Sequence, residues 1–546
     1  MRWAAWIALV VLSPGCGSSD DTVAPADGGD AGGSSGSSGS SPPPGGPTDA
    51  GSPFDGAVPE LPPPKCTPPI ALADVTKPTT VVGKGTPASC TEAELRAAVT
   101  AGGVITFDCG AAEHTIVVTS PLAAPTNKDT TIDGGGKITL SGGDTTRIVE
   151  LVHSFEKAAP TLTVQRITLT KGRTTDVPNT TATTKGGAAI YTLGGNVHAI
   201  EAKLVDNHGP LTGQDVAGGG IYSVGAGSVV VVRSVFAGNT CSNGGAVSVL
   251  GSNLSIVDTV LDANATTGQG GNPGNGGNGG ASTMDGRGKT LTICGSTFTN
   301  NKARAFGGAV FRTSYENEAT TIDKSVFDRN EVPVEPPSQS GAVYLQGTKV
   351  TMTNTSLTNN RARFAAAMSI YEHGGPAPGV IDMTNVTVAN NTVWERDPFT
   401  DTGLVGGVQV GDRVTGTWLN VTLVGNKAQF ASGIGGASTR LTIRNSIIAN
   451  EWLNDYTPLN CNGASANGSD NLQWPATNKG NNDLACVTAI QRADPKMGPL
   501  SGTDMLTTTP QAGSPALGLG KSCPPTDQLG NPRKPEGCTA GAIEAP

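Results

Sequence analysis

What this chain has little of narrows its class before any motif is read. Aromatic residues make up 4% of its 546 positions, and the five histidines (His114, His153, His198, His208, His373) fall at no spacing that suits a catalytic triad. There is no cluster of lysine and arginine, and the formal net charge is -9, which argues against nucleic acid and against a polybasic membrane patch. The apolar run Trp3 to Leu12 is too short to span a bilayer. No Cys-x2-Cys spacing occurs, so the ten cysteines read as disulfide partners rather than zinc ligands. Acidic residues do not gather as a glycosidase pair or a Ca2+ cage requires. The sequence therefore assigns no catalytic, cofactor-binding or metal residues, and Ca2+ has no specific motif to hold it.

What is there is one motif written ten times between Leu162 and Glu451, of the form Φ-x-Φ-x-(polar)-x-x-Φ-x-x-Asn with Φ apolar. Val229/Val231/Phe236/Asn239, Leu291/Ile293/Phe298/Asn301 and Val350/Met352/Leu357/Asn360 are three of the copies. Copies end 25 to 37 residues apart, and the last position is Asn in eight, with Gly172 and Glu451 as exceptions. A period of this length means stacked repeats. Apolar residues at i and i+2 form a half-buried strand, and the apolar residue at i+7 requires a bend near the fifth position. Asn at the end suits a second corner, since it tolerates left-handed dihedrals. Gly-Gly pairs such as Gly186-Gly187, Gly244-Gly245 and Gly307-Gly308 supply a third. Strand and corner three times over is one coil of an all-β, single-stranded, right-handed parallel β-helix. Each coil hides its strand edges by stacking on the next.

The ends read differently. Arg2, the run Trp3 to Leu12, and Ser13-Pro14-Gly15 before Cys16 form an export signal. The segment resembles a bacterial lipoprotein lipobox, which implies lipid attachment at Cys16 and an outer-membrane or cell-surface location. The Gly/Ser/Pro-rich stretch that follows has almost nothing to bury and is expected to be a tether. Thr91-Glu92-Ala93-Glu94 is a capping box opening a short helix that ends at Gly102-Gly103 and lids the amino end. Five segments result: signal peptide 1–15, linker 16–65, cap and first coils 66–160, repeats 161–451, and a loop-rich carboxyl cap 452–546. Three close cysteine pairs are expected, Cys90 with Cys109, Cys461 with Cys486 and Cys523 with Cys538, leaving Cys66, Cys241 and Cys294 unassigned.

The alternation of Gly-Gly-Ala-Val (Gly244 to Val247, Gly307 to Val310) with Phe-x-x-Asn (Phe236 to Asn239, Phe298 to Asn301, Phe327 to Asn330) resembles the repeats of polymorphic outer membrane proteins. The carboxyl end, Gly513-Ser514-Pro515-Ala516, Asp527-Gln528-Leu529-Gly530 and Gly541-Ala542-Ile543-Glu544, is similar to that of choice-of-anchor-type bacterial surface proteins. The resemblance implies the fold and a surface role. It implies little chemistry, since fold does not fix activity.

Two surfaces are candidates for function. The fifth motif position runs Arg166, Glu201, Arg233, Asp258, Gly295, Lys324, Asn354, Asn385, Asn420, Asn445. A catalytic Arg with acidic partners is weighed there against lateral ion pairs and amide ladders, and the second is favoured. After the Gly-Gly corners, Tyr191, Tyr222, Phe311, Tyr344 and Tyr371 follow an apolar residue, so strand alternation turns them outward as a candidate binding stripe. A cross-coil stack that only stabilises the sheet is the competing reading. The expectation is a lipid-anchored surface β-helix that binds glycan, matrix or protein without evident catalysis. The alternative is a polysaccharide-degrading enzyme, lyase before glycoside hydrolase.

Overall fold

The computed structural model describes residues 55–174, 183–270, 276–335, 338–374, 377–394, 403–436, 438–452, 459–463, 465–478 and 481–546. The signal segment, Cys16 and most of the linker lie outside them. No helix among them is long and apolar enough to cross a membrane. They build the expected parallel β-helix: strands from successive coils pair in parallel along one continuous sheet folded into three walls.

The ten motif copies fall into a single register. On one wall Val197, Val229, Leu254 and Leu291 pair in succession, and on the next Leu204, Phe236, Leu261, Phe298 and Phe327 do the same. These side chains point inward and are buried, and the Phe298 and Phe327 rings stack at 4.8 Å. Between the two walls lies the bend, and its residue takes a left-handed conformation in every copy, from Arg166 (φ 47°) through Asp258 (φ 47°) and Lys324 (φ 48°) to Asn445 (φ 51°). That conformation costs a non-glycine residue roughly 1–2 kcal/mol, least for Asn. The side chain there faces outward, so the column accepts charge as readily as amide.

The second corner corrects the sequence reading. The left-handed residue is the one before the repeat asparagine: Asp206, Ala263, Asn300, Arg329, Asn359 and Asn390 have φ between 53° and 59°. The repeat asparagine itself points inward and is buried. Asn330 Nδ2 donates to Asn360 Oδ1 at 3.0 Å and to Phe298 O at 2.9 Å, while its own Oδ1 accepts from Asn301. The ladder joins Asn207, Asn239, Asn264, Asn301, Asn330, Asn360, Asn391, Asn426, Asn450 and Asn460. Asn450, not Glu451, is the rung of the tenth copy, because that corner is one residue shorter.

The third corner opens the remaining wall, of Ile190–Leu193, Ile221–Val224 and Val247–Leu250, which is the first wall in chain order, those of Val197 and Leu204 being the second and third. Gly187, Gly218, Gly244 and Gly307 are left-handed there, and Ser340, Ala365, Val405 and Ala431 take over in later coils. The following glycine is needed for close approach: a Cβ at Gly308 would sit 2.0 Å from Gly341 O of the next coil.

The ends are sealed by the chain itself. Thr91 caps the helix Glu92–Ala101, which buries Leu95, Ala98 and Val99, as the capping box predicts. A strand the sequence reading missed, Thr80–Val82, pairs with Gly103–Phe107 and covers the first strand edge. At the far end coiling continues past Glu451 through Asn467–Ser469, Asn471–Trp474 and Ile490–Arg492. The three expected disulfides form. Cys66 joins Cys294 across 228 residues, and Cys241 is buried.

Candidate functional site

The segment around residues 65–73 and the carboxyl-terminal segment both run along the outside of the solenoid, over the bend column that carried the catalytic alternative. The amino-terminal strap binds its first half. Lys65 and Cys66 donate backbone N–H groups to Asp258 at 2.8 and 3.3 Å, and Ala73 N donates to Gln165 Oε1 at 2.8 Å. Ile70 and Cys66 pack on Ile200, Val232 and Val257. The carboxyl-terminal segment covers the second half: Asn385 Nδ2 donates to Thr526 O at 2.9 Å, Asn445 Nδ2 to Lys521 O at 2.9 Å, and Ala542 N to Thr422 Oγ1 at 2.8 Å. The two segments meet where Lys65 Nζ donates to Asp504 O at 2.7 Å. Arg166 pairs with Asp133 at 2.5 Å, not with Glu201, and Arg233 Nη1 is buried with no hydrogen-bond partner. Asp258 is spent on the strap. The lateral Arg–Glu–Arg–Asp chain pictured from the sequence is therefore not the arrangement adopted.

The Asp527-Gln528 and Gly541-to-Glu544 segments of the carboxyl end have their use here too. Arg533 bonds Glu544 Oε2 at 2.9 Å and Gly541 O at 2.8 Å, while Asp527 accepts the Glu544 N–H at 3.0 Å. Gln528 bridges Ser356 Oγ at 2.7 Å and Thr387 Oγ1 at 2.6 Å. These residues staple the segment to itself and then to the wall.

The aromatic stripe is divided. Tyr191 and Tyr222 are in register and 6.3 Å apart, but both are buried, so the expectation of exposure is corrected for them. Arg147 lies over the Tyr191 ring at 4.7 Å, and the Tyr222 hydroxyl donates to Asp215 O at 3.0 Å. The loop before the Gly218 corner roofs this pair. Further along, the Tyr344 ring is the centre of an aromatic cluster, 5.0 Å from Phe306, 5.2 Å from Phe311 and 5.7 Å from Tyr371, and of these contacts that with Phe311 is stacked. Phe306, Phe311 and Tyr371 are half-buried and Tyr344 is 8% exposed. Tyr371 pairs with Gln346 rather than with Tyr344, two residues from its expected register, yet lies on the same outward face. Phe306, at the preceding corner, was legible only once the stacking was known.

A polar cluster that the sequence did not reveal sits where the first wall turns into the second. Tyr315 Oη donates to Asp285 Oδ1 at 2.9 Å, and the Tyr315 ring meets His373 edge-on at 4.7 Å. Arg287 reaches over Tyr315 at 5.8 Å and pairs with Glu316 at 3.6 Å. Burial pushes the Asp285 carboxyl above the usual carboxylate range, with the Tyr315 hydroxyl opposing. Burial also opposes ionisation of Glu318, yet hydrogen bonds from Ser314 and from the Glu316 and Gly288 N–H groups hold it down at about 2. Beneath them Arg312 is fully buried, donating to Lys289 O at 2.6 Å, and burial lowers it to about 10.

The candidate metal group Cys66, Cys294 and Asp323 is occupied by a disulfide, which removes both sulfurs as thiolate ligands. No known family model matches this chain, and no curated protein is similar to it.

Proposed function

We propose that this protein is an exported, lipid-anchored β-helix whose first wall binds a glycan, matrix or protein surface at the cell exterior. The observation that carries the reading is the four-ring cluster around Tyr344, in which Phe311, Tyr344 and Tyr371 come from successive coils, Phe306 flanks Phe311, and three members are partly open to solvent. Aromatic rings offer large contact area at low entropic cost, and a ladder of them at the coil spacing suits an extended partner. The lipobox-like run before Cys16 suits display rather than secretion, and the disulfides suit an oxidising exterior.

The test is retention of the protein on immobilised polysaccharides and matrix glycoproteins, comparing wild type with the F311A/Y371A double variant. The reading expects at least one bound surface and a drop in retention of tenfold or more for the variant. Equal retention would remove the ring cluster as the contact.

A second reading, polysaccharide lyase, is favoured by one observation. Asp285 and Arg287 on one coil, Tyr315 on the next and His373 reaching back from two coils further on bring acid–base side chains and a cation together, as proton abstraction next to a carboxylate requires.

A further inference from the structure

A groove of about 780 Å³ lies between the third wall and the returning carboxyl-terminal segment. Its floor is a column in which Ala389 pairs with Val424, Val424 with Ala449, and Ala449 with Trp474. The far side is Met497, Pro499 and Leu500. Trp474 is 40% exposed and ends the column, while Asn390, Glu451 and Asp494 bring polar groups to the lining. The floor is kept low by small side chains, and at Gly425 a Cβ would come within 2.5 Å of Asn390 Oδ1. The column crosses three coil spacings, about 14 Å, so the groove is elongated along the solenoid axis.

We propose that this groove binds a short stretch of a neutral polysaccharide, with one sugar ring stacked on the Trp474 indole. This deepens, and rests on, the reading of the protein as a surface binder. The chemistry of the lining selects the ligand. A pyranose has an apolar C–H face, which an open indole matches, and a rim of hydroxyl donors, which carboxylate and amide oxygens accept. A purely apolar partner leaves Asn390, and the Asp494 oxygen that the Lys496 N–H does not meet, desolvated without hydrogen bonds, which is costly. A uronate chain brings its carboxylates against Asp494 and Glu451, and of the two only Glu451 is ion-paired, with Lys427 at 2.8 Å. Like charge at this range disfavours acidic polysaccharides.

The test is calorimetric titration of the full protein with cellohexaose, chitohexaose and xylohexaose as neutral probes and hexagalacturonate as the acidic one. Wild type, W474A, D494N and F311A/Y371A are compared, with melting curves as a check of folding. The proposal expects a neutral probe to bind, W474A to weaken it at least tenfold, D494N to weaken it several-fold, and hexagalacturonate to bind at least tenfold more weakly. In 15N-tryptophan-labelled protein, that sugar should shift the one indole N–H resonance absent from W474F, which keeps the reading independent of W474A folding. Binding that is unchanged in W474A, an unshifted Trp474 resonance, or no neutral binding at all would overturn it. If F311A/Y371A alone loses binding, the groove falls and the first-wall reading stands. If W474A alone does, the groove stands and the first-wall contact falls.

Discussion

At the residue scale the asparagine ladder holds the fold in register, and each rung is used on both sides. Removing the Asn330 side chain strands the Asn301 N–H and Nδ2 donors and the Phe298 carbonyl in a buried corner. Unmet buried groups cost about 1–3 kcal/mol each, so Asn330→Ala should destabilise by roughly 3–5 kcal/mol. Asn390→Ala, at an exposed left-handed position, should cost about 1 kcal/mol. Denaturant midpoints of the two variants check this, and equal losses would contradict it. The position of the ladder was readable from the period, while its reason was not. Spacing shows that an asparagine recurs, but only the register between coils shows whether it turns the backbone or bonds its neighbour. The same limit applies to Tyr191 and Tyr222, whose outward direction follows from alternation but whose roof comes from a loop.

At the scale of elements, the repeated strands were legible because a coil is local: its apolar positions recur within a dozen residues. The strap is not local. Cys66 and Cys294 stand 228 residues apart, with no periodicity linking them, so the sequence left both unassigned. Closing so long a loop is worth about 5 kcal/mol in the chain-entropy account of disulfides. The C66A/C294A variant should therefore melt at lower temperature. The strap should also become a trypsin substrate at Lys65 while the solenoid stays intact. A strap as resistant as in wild type would mean that Asp258 and the Ile200–Val232–Val257 patch suffice to hold it.

At the scale of the molecule, the strap around Cys66 and the carboxyl-terminal segment close over one long corner and leave the first wall with its ring cluster and the groove beside Trp474 as surfaces for a partner. The sequence spoke clearly for the solenoid and weakly for these surfaces, because a binding face is set by what covers its neighbours. The account stands on binding without turnover. The direct measurement incubates the purified protein with acidic and neutral polysaccharides, with and without Ca2+, following retention together with release of unsaturated and reducing ends. The account predicts retention on at least one polysaccharide and no new ends on any. Release of unsaturated ends would contradict it, and loss of that release in Y315F would move the function to the Tyr315–Asp285–His373 corner.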